Sequence, residues 1–175
     1  MEKIEFIQNE IWLTTVSAAF QRANVYKPNI ANKEKDFLKN KIRGLLDMSI
    51  LQDYNNQVSD EQHIQNIYSI KELSECFSNI LNNESLSFGV CQKILNLYLK
   101  FQWCLGLIKS TPPHFPVDRR IQEYLNISNI VSWTTKMGEK EYMNIIGIAR
   151  NKLKEYDKEN IAELELTLFE RRSNS

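Results

Sequence analysis

Two residues in this chain have the chemical type and setting for covalent work on an electrophile: Lys93 and Asp118. Lys93 lies near the start of a strongly apolar run that includes Val90, Ile94, Leu95, Leu97, Tyr98, Leu99, Phe101, Trp103, Cys104 and Leu105. Burial disfavours an ammonium, and the neutral amine that results is a nucleophile. A Schiff-base lysine needs that state. Lys93, Asn96 and Lys100 share one helix face at i, i+3 and i+7, with Gln92 beside them. A plainer reading makes this stripe the helix's wet face, with lysine stems packed on the core and heads reaching solvent. Both readings stand at this level.

Asp118 belongs to Pro116-Val117-Asp118-Arg119-Arg120. Proline is suited to opening a helix, and a carboxylate in the first turn is favoured by the helix dipole. On structure alone Asp118 is a helix-start residue, and Arg119 and Arg120 are surface charges. Trp103, Phe115 and Trp133 are candidates for stacking on a ring-shaped ligand, or simply core packing. His114, between Pro113 and Phe115, is a further pocket candidate, although a lone loop histidine is more often a hydrogen-bonded structural residue. His63 has no ligand-spaced partner, and no metal site or cofactor motif is expected.

The elements that must position these residues read as helices. Only five glycines and four prolines interrupt the chain, which favours long helices over many short strands. Ile4, Ile7, Ile11, Val16 and Phe20 recur at helical spacing over Glu2–Ala23. A second helix is predicted from Lys33 to Asp53, with Phe37, Leu38, Ile42, Leu45 and Leu46 inward. Ser59 and Ser69 each begin a capping-box pattern, predicting helices over 60–67 and 70–82. Ser87 caps a helix over 88–107 that is apolar nearly all round and is therefore central. After a stiff proline-rich connection, helices are expected over 117–125, 139–156 and 158–171, with an irregular stretch over 126–136. The result is an all-α single domain of about seven or eight helices around the buried helix near 88–107. The domain covers 1–172, and 173–175 is expected to be a disordered tail.

Composition narrows the classes. Lysine plus arginine equals aspartate plus glutamate, at 22 each, so the chain is no uniformly basic nucleic-acid coat. From Phe88 to Leu125 five cations (Lys93, Lys100, Lys109, Arg119, Arg120) face only two acids, Asp118 and Glu123, a local basic patch through which DNA could bind. Cys76, Cys91 and Cys104 lack disulfide or zinc spacing, and Cys91 and Cys104 read as reduced core residues. No secretory leader or membrane span is expected, and the cytoplasm is the expected compartment. The asparagine, isoleucine and lysine usage suggests an AT-rich, bacterial genome.

The segment Leu86-Ser87-Phe88-Gly89-Val90-Cys91-Gln92-Lys93-Ile94-Leu95-Asn96, followed by Pro116-Val117-Asp118, resembles the active-site half of helix–hairpin–helix DNA glycosylases. The archaeal 8-oxoguanine glycosylases are the nearest type. The pattern also resembles a bacterial family of unassigned activity. The glycosylase resemblance implies that Lys93 is the amine nucleophile and Asp118 the carboxylate assisting base departure. It also implies that a hairpin around Gly89 holds a DNA phosphate on backbone N–H groups. Lys100, Arg119 and Arg120 would then add phosphate contacts. Two alternatives remain open: a non-catalytic DNA-binding module, and a helical protein-interaction module. The second would use an apolar surface on the last helix, through Ile161, Leu164, Leu168 and Phe169.

Overall fold

The structure, a computed structural model, describes residues 2–168. Helix α1 spans Lys3–Phe20 and α2 spans Asn32–Leu45. A π-helical turn, Leu46–Ile50, carries α2 into the short α3, Leu51–Asp53. Then follow α4 (Asp60–Glu75), α5 (Phe88–Cys104), α6 (Arg119–Tyr124), α7 (Glu139–Asn151) and α8 (Ile161–Leu168). Among the described residues no strand forms, and one isolated antiparallel bridge joins Tyr26 to Leu81. The all-α, single-core reading holds. Among the described residues, no helix is long and apolar enough to cross a membrane.

Helix α5 is the axis of the fold, packed by α1 on one side and α4 on the other. Every residue from Phe88 to Leu99 is buried. The polar stripe is therefore not a wet face: Gln92, Lys93 and Asn96 are enclosed with the apolar residues. Ser87 starts the helix by accepting a hydrogen bond from the Val90 N–H. Gly106 ends it in the left-handed conformation (φ +69°) and donates to the Trp103 carbonyl. This cap stops α5 at Cys104, short of the expected 107, and leaves Cys104 exposed rather than in the core.

Other boundaries moved for local reasons. The two helices expected over 60–67 and 70–82 are one, α4. Ser69 is not a cap, because its hydroxyl donates to the Gln65 carbonyl one turn back, a bond an uninterrupted helix provides. Past Glu75 the chain turns through 76–80 to bring Leu81 to Tyr26. Asp118 caps α6 instead of lying inside it, so that helix starts at Arg119. Helix α7 ends at Asn151 in a run of turns that closes with Asp157 at φ 51°. Ile4, Ile7 and Phe37 point outward rather than inward. On α1 the buried face is Ile11, Trp12, Thr15, Val16 and Ala19, and Trp12 meets Tyr98 of α5 edge-on, at 5.9 Å between ring centroids.

The surface expected on the last helix is absent where it is described. Ile161 and Leu164 are buried, and Leu168 packs against the core. Phe169, the expected end of that helix and the expected tail at 173–175 lie outside the described residues.

Gly89 is where the packing is tightest. It is the second residue of α5, and a Cβ placed on it would stand 1.6 Å from the Trp133 carbonyl oxygen. Backbone meets backbone there, so no rotamer change relieves the clash. Gly89→Ala should destabilise the fold by about 3 kcal/mol, at the upper end of the usual overpacking range. Gly44→Ala is the control, since nothing lies within 4 Å of its Cβ position. It should stabilise α2 by about 0.5–1 kcal/mol. Urea unfolding of both variants reads the contrast, and equal effects would contradict the packing described.

Candidate functional site

The site is assembled by a clasp. The buried Gln92 amide donates from Nε2 to the Val117 carbonyl at 2.7 Å and accepts the Val117 N–H on Oε1 at 3.1 Å. It thus pairs with the chain before α6 as a neighbouring strand would, and sets the next residue, Asp118, over α5. Asp118 then serves two partners. Its Oδ1 accepts the Ile121 N–H at 3.2 Å, capping α6, and its Oδ2 lies 3.1 Å from Lys93 Nζ. A second glutamine repeats the device. Gln122 clasps Val131 through both backbone groups, at 3.0 and 2.8 Å, which steers the chain towards Trp133. The Lys93 ammonium sits 4.2 Å from the centre of the Trp133 ring.

Lys93 is 8% exposed, and the little it shows faces a cleft of about 360 Å³. The cleft is also lined by Asp118, Trp133, Arg22, Arg119, Arg120 and Glu165, with Ala18, Leu97 and Pro116 as its apolar wall. Two residues separated by 25 positions in sequence, Lys93 and Asp118, therefore meet in one cavity wall. An amine with a carboxylate in contact has a proton acceptor at hand, while the surrounding arginines favour an anionic ligand.

Other candidates fall elsewhere. Gly89 lies inside α5, not in a hairpin, and the Trp133 carbonyl stands where its side chain would begin. Phe115 and Trp103 do not line this cleft. Phe115 is buried in the core and Trp103 packs half-buried against it. Trp133 does line the cleft, but Lys93 occupies a face of its ring. Lys100 is tied to Glu165 of α8, with Nζ 2.5 Å from Oε2. Arg119 reaches Glu123 and Arg120 reaches the Tyr124 hydroxyl, and both arginines stay exposed on the cleft's rim. Arg22 and Glu165 were not singled out from the sequence. Arg22 lies in the turn after α1, and Glu165 sits in a stretch that alternates polar and apolar residues, so neither carries a motif.

His114 is buried and anchors a network of hydrogen bonds. Its Nε2–H donates to Asp60 Oδ1 at 3.0 Å, because a carboxylate can only accept. Its Nδ1 therefore accepts from the Tyr142 hydroxyl, also at 3.0 Å. Tyr142 in turn accepts from Asn96 Nδ2 at 2.8 Å, and Asn96 donates to Gln92 Oε1 at 3.2 Å. A continuous chain of hydrogen bonds thus runs from Asp60, which Arg150 grips with two bonds, to the clasp. The His63 ring packs 4.4 Å from that of His114, centroid to centroid, and its Nδ1 meets the Tyr54 hydroxyl at 2.7 Å. The Asn96 side chain also acts on the His63 ring as a hydrogen-bond partner, although His63 Nε2 and Asn96 Oδ1 have no closely aligned partner. Among the described residues no group of three His, Cys, Asp or Glu side chains could hold a metal ion.

Both histidines are held neutral. Burial, against the pull of Asp60, lowers His114 from 6.5 to about 4, and burial followed by the neighbouring His114 lowers His63 well below 6.5. Hydrogen bonds from Arg150 bring Asp60 from 3.8 to about 2. A depressed histidine value means that between 6.5 and 4 the unfolded chain binds the proton and the native chain does not. Stability is therefore full above pH 6.5 and falls as the pH drops through that window, by about 3 kcal/mol for His114 alone. His63 acts in the same direction, and Asp60 extends the loss below pH 3.8. Urea unfolding followed from about pH 7.5 to about pH 4.5 should show this loss, and an unchanged midpoint would contradict neutral, buried histidines.

Comparison of the chain with protein-family models, with curated proteins and with solved structures finds no match in any of the three.

Proposed function

We propose that the Lys93 cleft acts on DNA by base-excision chemistry, with the Lys93 amine as nucleophile on C1′ of deoxyribose and Asp118 as its proton acceptor. The observation that carries this reading is the 3.1 Å contact between Lys93 Nζ and Asp118 Oδ2 in the wall of an open cleft, where Lys93 is 8% exposed. At an abasic site the ring-opened sugar presents an aldehyde. Lys93 loses a proton to Asp118 and attacks C1′, water departs, and an imine joins lysine to sugar. Excision of an intact base uses the same attack, with the base leaving C1′. Arg22, Arg119 and Arg120 on the rim supply phosphate contacts, which make binding fall steeply with salt.

Borohydride trapping tests the proposal. Hydride reduces the imine to a secondary amine and fixes protein to DNA. With duplexes carrying an abasic site or 8-oxoguanine, the protein should give a trapped adduct, and Lys93→Gln should give none. Asp118→Asn keeps a helix-capping side chain and removes the charge. It should slow adduct formation by about 10²-fold. DNA binding without an adduct on either substrate would leave a non-catalytic DNA-binding module as the reading. Absence of binding would favour a protein partner.

A further inference from the structure

Two neutral histidines converge on one amide. His114 reaches Asn96 through Tyr142, whose hydroxyl oxygen accepts from Asn96 Nδ2 at 2.8 Å and whose proton goes to His114 Nδ1. His63 meets the same amide as a loosely aligned hydrogen-bond partner. Tyr54 fixes the His63 tautomer. Its oxygen accepts from Asn66 Nδ2 at 3.3 Å and its proton goes to His63 Nδ1 at 2.7 Å, which leaves His63 Nε2 as the N–H. Asn96 therefore turns Oδ1 towards the His63 donor and Nδ2 towards two acceptors, Tyr142 and Gln92 Oε1. Gln92 Oε1 is also the atom that holds the Val117 N–H. One orientation of Asn96 thus serves both histidines and the clasp.

We propose that His114 is a proton-operated switch for the Lys93 cleft: a proton on its Nδ1 turns the Asn96 amide round, opens the Gln92–Val117 clasp and draws Asp118 away from Lys93 while the rest of the core stays folded. The steps follow from counting donors. Protonated His114 donates from both nitrogens, Nε2 still to Asp60. The Tyr142 hydroxyl must then accept from Nδ1, and its own proton loses its acceptor. Tyr142 is fully buried, and Asn96 is the neighbour with an acceptor to offer. Turning that amide end for end brings Oδ1 to Tyr142. It also sets Oδ1 against Gln92 Oε1, acceptor on acceptor. Gln92 escapes only by turning too, which puts donor on donor and acceptor on acceptor at Val117. Val117 is released, and Asp118 follows as the next residue. The surrounding charges set where the proton is taken. Asp60 and His63 face His114 from α4, Arg150 of α7 grips Asp60, and Lys100 of α5 and Glu165 of α8 line a small void beside the ring. Burial and Arg150 oppose the proton and Asp60 favours it, which holds His114 at about 4. The switch acts on the cleft whatever the cleft binds.

Hydrogen exchange of the Val117 amide tests the switch, because that N–H ends on Gln92. Protection factors are followed by NMR on the full chain without DNA, from about pH 7 to about pH 4. Val117 should exchange through an opening that leaves Ile94 and Leu95 of α5 protected. Its protection should fall by about tenfold per pH unit below the ordinary histidine value, since the open state binds the proton and the closed state does not. Exchange of all three amides at one rate would overturn the proposal, because that is global unfolding. Unchanging protection at Val117 would overturn it too. His114→Gln keeps a donor for Asp60 and cannot titrate, so Val117 protection should become independent of pH. A fall that persists in this variant would assign the opening to another group. If His114→Gln does not fold, the surface variant Arg150→Gln decides. Without the arginine the closed state accepts the proton more readily, and the total fall at Val117 should be about tenfold smaller. An unaltered fall would overturn the role of His114. None of these outcomes depends on the chemistry proposed for Lys93, which borohydride trapping tests separately.

Discussion

The local architecture depends on a buried glutamine that behaves like backbone. The last stretch of the connection between α5 and α6, residues 114–117, runs through the interior, where unpaired N–H and C=O groups would each cost about 1–3 kcal/mol. Gln92 supplies both missing partners for Val117 from a side chain on α5. Its remaining capacity is also filled, by the Gly89 carbonyl and the Asn96 amide. The clasp sets the start of α6, and with it the depth at which Asp118 meets Lys93. A leucine of similar size would fill the volume and orphan the loop.

Behind the clasp, polarity is organised as a chain rather than scattered. Asn96, Tyr142, His114 and Asp60 pass hydrogen bonds from one to the next until Arg150 closes the line at the surface. Such networks are costly when half satisfied and specifying when complete. This one permits a single arrangement of tautomers, since the carboxylate of Asp60 forces the proton onto His114 Nε2. The weakest joint lies between Asn96 and His63, whose Oδ1 and Nε2 find no closely aligned partner. The same core that presents an amine to the cleft is thus held by groups that tolerate no extra proton.

The legible part of this fold was what local chemistry controls. Ser59 and Ser87 cap the helices expected of them, and the apolar run of α5 is the buried axis. Lys93 and Asp118 were recognisable as chemical types, but their contact is not a local property. It depends on Gln92 reaching Val117, and an amide on a helix face carries no mark of what it will clasp. Ser69 shows the opposite failure, since its capping pattern was present but the continuing apolar periodicity of α4 outweighed it. A glycine beside an apolar run suits a ligand-binding turn, yet at Gly89 it admits a neighbouring carbonyl. Glu165 and Arg22 were invisible because their meaning lies wholly in where α8 and the end of α1 come to rest.

The absent Cβ at Gly89 has a consequence for motion. With the Trp133 carbonyl seated where a side chain would begin, the tryptophan segment and α5 have no slack along their line of contact, and Gln122 holds the same segment from its other flank. The indole over Lys93 therefore hangs from a backbone segment anchored on both flanks. On the proposed reading, a ligand comes to the amine with its shape already suited to the opening. Discrimination would then be made on arrival, by fit and desolvation, and turnover would carry no gating step between encounter and attack.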